Sequence, residues 1–237
     1  MKNQYFGDIN DYRKYGLLRA IVRASGLRTL VAWMLTPDDQ RADGNFVSYL
    51  EDSAKWARYD PDLFRHLKEM LSPGATRHVG LMESTSLLSG AKYFSSVVPD
   101  SAKDRSAWFL SLLEQSQGRE LVFLDPDNGL EIKSRPYGRK YSSKYLFWRE
   151  VEALWSSGKS LLIYQHFTRE KRTHFIGRKL DELRRSAPRS LVEAFTTPRV
   201  VFFLALQPAH KRFHPAIVEA VRTHWTGEIF IGSSRLL

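Results

Sequence analysis

An apolar run, Leu121-Val122-Phe123-Leu124, stops at Asp125-Pro126-Asp127-Asn128-Gly129. A buried parallel strand that ends this way delivers two carboxylates and an amide where the backbone turns outward. A carboxylate or amide placed there accepts hydrogen bonds from a substrate amine and leaves the nitrogen lone pair free to attack. That makes Asp125, with Asn128 and Asp127 beside it, a candidate catalytic group acting by positioning and electrostatics. An Asp-x-Asp pair at a strand end can instead hold Mg²⁺, one Asp attacking a phosphoester. The same five residues are also good turn formers, with no chemistry implied.

Other strand ends carry polar groups too. Glu83 in "GLMES" follows an expected second strand, where an acid accepts two hydrogen bonds from the vicinal hydroxyls of a ribose. Asp100 in "SVVPD" follows an expected third, where it meets an exocyclic amine of adenine. Thr36 and Asp38 open the loop "TPDDQRADGNF" after the first strand and are candidates for a cofactor's amine and carboxylate. In the metal reading, Asp38, Asp39 and Asp43 are further oxygen ligands. Pro99-Asp100 with Glu131-Ile132-Lys133 formally fits a restriction-type nuclease. His210 and His214 suit zinc poorly, since no Glu lies between them and Pro215 follows.

These positions require alternating strands and helices. "DYRKYGLLRAIVRAS" reads as a helix closed by Gly26. "RTLVAWML" reads as a strand, "SYLEDSAKWARY" and "DPDLFRHLKEML" as helices, and "RHVGLMES" and "KYFSSVV" as strands. "SAKDRSAWFLSLLEQSQ" is a helix and "ELVFLD" the strand above. "SSKYLFWREVEALWSSG" is a helix, "SLLIYQHF" a strand and "KRTHFIGRKLDELRRS" a basic helix. "RVVFFLALQP", "HPAIVEAVRTHW" and "EIFIG" close the chain as strand, helix and strand. The expectation is one α/β domain over residues 1–237. It is a three-layer sandwich on a mainly parallel seven-stranded sheet.

The 237 residues carry a net charge of +10, which favours a polyanionic partner, nucleic acid above all. The basic residues recur with aromatics: Arg135, Tyr137, Arg139, Lys140 and Lys144 in one loop, then His166, Arg169, Lys171 and Arg172 after a strand. Cations beside rings suit phosphates and stacked bases. The chain has no cysteine, which excludes disulfides, thiolate zinc sites and thiol nucleophiles. No apolar run is long enough to span a bilayer, and the start lacks the apolar middle of a secretory signal. The expected location is the cytoplasm, with no membrane partner.

"FLDPDNG" resembles the strand-end motif of Rossmann-type methyltransferases acting on amino groups, usually Asp-Pro-Pro-Tyr or Asn-Pro-Pro-Tyr. The order of elements is similar as well, and implies a Rossmann-like seven-stranded sheet with an antiparallel last strand, "RVVFFLALQP" and "EIFIG" standing where those enzymes place an antiparallel hairpin. The family most similar is that of the ribosomal-RNA adenine-N6 methyltransferases, with "GDINDYRKY" in place of its Gly-Asn…Ala-Asp-Val-Leu-Lys-His stretch. The resemblance implies S-adenosylmethionine as cofactor. Lys14 and Tyr15 then lie near its methionine end, Glu83 at its ribose, Asp100 at its adenine and Asp125 at the target amine. The sequence departs from the pattern in two places. The aromatic after Asp-Pro is absent, and the loop after the first strand has one glycine, Gly44, rather than a glycine-rich turn. Two alternatives stay open: a Mg²⁺-dependent phosphoesterase or nuclease using Asp125 and Asp127, and a non-catalytic nucleic-acid-binding module.

Overall fold

The computed structural model describes residues 1–39, 44, 46–72 and 74–232. Asp43 lies outside the described residues.

The first helix, α1 (Ile9–Ser25), starts where the Asp8 carboxylate accepts the backbone N–H groups of Asn10 and Asp11. It ends at Gly26, whose φ of 67° gives the left-handed cap. After it come β1 (Thr29–Ala32), α2 (Ser53–Trp56), α3 (Pro61–Met70), α4 (Gly80–Glu83) and β2 (Lys92–Phe94). Then follow α5 (Ala102–Gln115), β3 (Leu121–Leu124), β4 (Gly129–Leu130), β5 (Tyr145–Leu146) and α6 (Trp148–Ser156). The chain closes with β6 (Ser160–His166), α7 (Arg172–Ser186), β7 (Leu191–Thr196), β8 (Val200–Leu206), α8 (His214–Trp225) and β9 (Phe230–Ile231).

Seven strands form one sheet in the order β2-β1-β3-β6-β8-β7-β9, while β4 and β5 pair separately. From β2 to β6 the pairing is parallel. Then β8 enters antiparallel between β6 and β7, and β9 adds antiparallel to the outer side of β7. Side chains alternate across the sheet, so two apolar cores form. One, with Val31, Trp33, Phe123, Leu162 and Tyr164, meets α1, α3 and α8. The other, with Leu30, Val122, Leu124, Leu161 and Ile163, meets α5, α6 and α7. Helices thus cover both faces of the sheet, and the expected Rossmann-like α/β sandwich is what forms. No helix among the described residues is long and apolar enough to cross a membrane.

Several elements differ from their expectation. "RHVGLMES" is not a strand: Val79 and Met82 bury their side chains at helical spacing, and Gly80–Glu83 is α4. "KYFSSVV" pairs over Lys92–Phe94, with one further bridge between Leu35 and Val97. "SYLEDSAKWARY" splits into a 3-10 turn and α2 because Asp52 caps a new start. In "SSKYLFWREVEALWSSG" only Trp148–Ser156 is α-helical, since Tyr145–Leu146 extends to pair with β4. The strand β7, within "SLVEAFTTP", is absent from the sequence pattern. It takes the place of the lost strand in the count of seven and is the partner of β8, a place the methyltransferase resemblance assigns to "EIFIG".

Candidate functional site

Beyond the carboxyl ends of β1, β3 and β6 lies a cavity of about 700 Å³, within the range that holds a small-molecule ligand. Its floor is built by register. Ala32 pairs with Leu124, and Leu124 with Ile163, so Trp33, Asp125 and Tyr164 follow side by side at the strand ends. Alternation carries Asp125 onto the α1 side, in line with Leu121 and Phe123. There it meets Lys14.

Lys14 and Asp125 are 1% and 2% exposed, with Nζ to Oδ2 at 2.7 Å. The same ammonium reaches Asp11 Oδ1, one helical turn back, at 2.7 Å. The rings of Tyr15, Trp33 and Tyr164 lie 5.2, 5.7 and 5.7 Å from Nζ. Burial by itself lowers a lysine pKa. Here the Asp11 and Asp125 carboxylates outweigh it, and Lys14 is held above the ordinary value as an ammonium. Burial pushes the Asp125 carboxyl up, against the pull of Lys14. Asp11 also accepts Gly7 N–H at 3.0 Å and Tyr15 O–H at 2.9 Å.

Asp8, capping α1, lines the same cavity. Burial first, then the neighbouring Asp11 carboxylate, push it up to about 6. Asp11 and Asp125 therefore pair with the buried ammonium of Lys14, and its charge also acts on Asp8. Asn10 adds a buried side-chain oxygen with no hydrogen-bond partner among the described residues. The floor thus sets carboxylate and amide acceptors beside the Lys14 ammonium.

The turn that opens the cavity is pinned by Gln165. Its Oε1 accepts Leu130 N–H at 2.7 Å, and its Nε2 donates to Asn128 O and His166 O at 3.2 and 2.7 Å. Gly129 has φ 116°, and a Cβ there would lie 2.4 Å from the Gln165 amide. Glycine is thus required at this position. Asp127 points to Lys144 Nζ at 3.3 Å, and Asn128 N–H donates to Lys144 O at 2.9 Å. The Met1 backbone nitrogen lies between the carbonyls of Met34 and Asp125, at 3.2 and 3.1 Å. His166 sits at the lip, open to the cavity mouth but set among protein atoms whose desolvation lowers its pKa. Lys144, Arg172 and Arg199 place cations around the mouth.

The structure thus gathers Lys14, Asp125, Asp127, Asn128, Lys144, His166 and Arg172 at one cavity. Other sequence candidates lie elsewhere. Glu83 ends α4 rather than a strand; its Oε1 accepts Trp33 Nε1–H at 2.8 Å and the Ser95 hydroxyl, so it braces the core and does not face the cavity. Asp100 accepts Tyr141 N–H and Ser143 N–H at 2.8 and 2.7 Å. Partial burial would raise its pKa, but those amides pull it below the ordinary value, and it anchors a loop rather than a base. Tyr15 is a buried wall behind Lys14. Thr36 N–H donates to Met1 O at 2.9 Å, and Asp38 accepts Gln4 N–H at 3.2 Å; neither lines the cavity. Tyr137 packs edge-on against Phe147, with Arg149 at 3.7 Å from its ring. Arg135, Arg139 and Lys140 are exposed on its loop, or nearly so, and Arg169 and Lys171 are exposed before α7.

Sequence reasoning passed over Asp8, Asp11, Tyr164, Phe46 and Arg199. For the first two a signal was there. Asp11 and Lys14 are three apart on one helical face, and Asp8 precedes the apolar pattern as a cap. Phe46 and Arg199 come from two loops that only the tertiary fold brings to the same cavity. Among the described residues, no group of three His, Asp or Glu side chains converges so as to hold a metal ion.

The fold and site define a Rossmann-like α/β protein with a cavity at the carboxyl ends of its parallel strands, acidic at the floor and basic at the mouth. Comparison with protein-family models and with curated proteins finds no match to this sequence.

Proposed function

We propose that the chain is an S-adenosylmethionine-dependent methyltransferase acting on an amino group of nucleic acid. One observation carries this reading: the Asp125-Pro126-Asp127-Asn128 turn opens into a cavity whose floor carries the buried Asp8, Asp11 and Asp125 carboxylates beside the Lys14 ammonium. The cofactor supplies an electrophilic methyl on a sulfonium and carries an ammonium and ribose hydroxyls. Cations and donors of that kind complement Asp8, Asp11 and the orphaned Asn10 oxygen. The ribose and adenine roles expected of Glu83 and Asp100 do not survive, because both acids are committed elsewhere; Asp8 is the acid in reach.

The chain's own residues then divide the work. Lys14 fixes the Asp125 carboxylate from behind, so that the turn holds its shape under charge. The half-buried Asn128 side chain, which lines the cavity at the turn, orients the accepting amine. His166, neutral at pH 7, is placed to receive the proton that the amine releases after transfer. Lys144, Arg172 and Arg199 hold phosphates at the mouth.

The metal reading is weaker on geometry. Asp125 is bound to Lys14 and Asp127 to Lys144, so the pair does not converge on one point. Calorimetric titration with S-adenosylmethionine and S-adenosylhomocysteine, chelator present, tests the proposal. Micromolar binding that is lost in Asp8→Ala supports it. No binding at millimolar cofactor ends it.

A further inference from the structure

Phe46 and Tyr141 are the only Phe, Tyr or Trp side chains among the described residues that stand exposed, at 49% and 45%. Both are bracketed by cations. The Arg199 guanidinium carbon lies 4.3 Å from the Phe46 ring centre. Around Tyr141 stand Lys140, Arg135 and Lys144, at 5.1, 5.5 and 6.0 Å. Arg135, Lys140 and Arg199 form no ion pair among the described residues, so their charge is free for a ligand.

Phe46 stands at the cavity and Tyr141 outside it, joined to it through Lys144. Phe46 and Arg199 line it, and Lys144 reaches from the Tyr141 ring to Asp127 inside it. Tyr141 is also held in place. It is a non-glycine residue with φ 70°, an unfavourable conformation for a bulky side chain. Asp100 secures it through two backbone N–H groups. The fully buried Arg105 secures the same loop from below, donating to Ser142 O at 3.1 Å and Tyr145 O at 2.6 Å. A buried ion pair with Glu150 fixes Arg105 in turn. The fold thus commits a buried network to presenting one aromatic ring to solvent.

We infer that this rim is a binding track for single-stranded nucleic acid, with Tyr141 and Phe46 as stacking platforms for unpaired bases and Arg135, Lys140, Lys144 and Arg199 as phosphate contacts. A duplex turns its base faces inward and would use the cations alone. A single strand uses both features. A base held near either ring leaves its neighbour at the mouth of the acidic cavity. The inference rests on the proposed choice of nucleic acid as substrate, and not on the cofactor.

The test is fluorescence anisotropy with labelled oligo-dT and oligo-rU, a duplex of equal length and an abasic strand, all without cofactor. The single strands are expected to bind more tightly than the duplex and the abasic strand; the dT and rU arms distinguish DNA from RNA. Tyr141→Asn, a residue that tolerates positive φ, and Phe46→Ala are each expected to weaken binding roughly 5- to 150-fold, from the usual worth of base stacking. Tyr141→Phe keeps the affinity. Arg135→Gln and Lys140→Gln lower the salt slope by about 0.7 for each phosphate they cease to neutralise, whereas Tyr141→Asn leaves it unchanged. Equal binding of wild-type protein to abasic and base-bearing strands, or to duplex, overturns the inference without any variant having to fold. Equally effective competition by polyglutamate overturns it in favour of an acidic protein partner. Strand binding with no cofactor binding removes the methyltransferase reading and leaves the track; cofactor binding with no strand binding does the reverse.

Discussion

Replacing Lys14 by Met leaves two buried carboxylates without their cation. The ammonium sits 2.7 Å from both Asp11 and Asp125 and is almost fully enclosed. Removing one partner from a buried pair costs about 3–5 kcal/mol, because the charge left behind has no solvent to return to. Domains of this kind hold roughly 5–15 kcal/mol in all, so the loss is a large share of the total. At ~2–4 °C per kcal/mol for a chain of this size, Tm should fall by roughly 6–20 °C. The loss should depend on pH, with a definite sign. In the variant, burial holds the folded carboxyl pKa values above those of the unfolded chain. Stability is then present below the unfolded value, about 3.9, and is lost as pH rises through the folded one. Urea unfolding should therefore show a larger deficit at pH 8 than at pH 5. The double variant Lys14→Met/Asp125→Asn should recover much of the loss, because Asp11 keeps Gly7 N–H and Tyr15 O–H as donors. A deficit under ~1 kcal/mol at pH 8, or the same deficit at both pH values, would refute the account of Lys14 as the counter-charge of the floor.

The remaining predictions concern other parts of the same frame. Asp8→Asn keeps a good helix cap but removes a carboxyl held up at about 6; it should raise Tm at pH 8 and change it little at pH 4, as differential scanning calorimetry can check. Gly129→Ala places a Cβ 2.4 Å from the Gln165 amide at a φ of 116°, so it should destabilise by more than ~1 kcal/mol in urea and reduce ligand binding at the cavity. Arg105→Ala strands Glu150 and two carbonyls; about 3–5 kcal/mol should be lost, and limited proteolysis should cut within residues 133–147, whereas Arg105→Met/Glu150→Leu should be milder. Gly16→Ala drives a Cβ to 1.7 Å from the Trp225 ring, so α1 and α8 must separate and Trp225 fluorescence should shift to the red.

What could be read from the sequence divides along physical lines. The layers and the strands β1, β3, β6 and β8 follow from continuous apolar runs, which local composition fixes. The strand β7 carries Glu193 and a mixed pattern, and only pairing with β8 makes it a strand. Asp125 was recognisable because a strand end and a turn coincide in sequence. Its partner was not, since the register of three strands decides which side of the sheet Asp125 faces. Glu83 and Asp100 looked like ligands of a cofactor because exposed acids near strand ends often are. Their commitments, to Trp33 Nε1 and to the Tyr141 loop, join residues 50 and 41 positions apart. No local pattern records bonds over that distance.

The charge distribution bears on how such a site would work. The chain carries +10 overall, yet the cavity floor holds Asp8, Asp11 and Asp125 around the Lys14 ammonium. A polyanion drawn by the net charge meets Lys144, Arg172 and Arg199 at the mouth and is repelled by the floor. A small cation is favoured at the floor and disfavoured at the rim. The two kinds of ligand are thus sorted to adjacent positions by sign alone, before any specific contact forms. Salt should act on them unequally. Screening falls on the exposed rim, where the Debye length is about 8 Å at physiological ionic strength, and far less on the enclosed floor. Raising salt should weaken oligonucleotide binding steeply while leaving the affinity for a cationic small ligand nearly constant. Parallel salt titrations of the two ligands, by anisotropy and calorimetry, would show this as two slopes. Equal slopes would mean that the acids of the floor and the cations of the mouth act as one field.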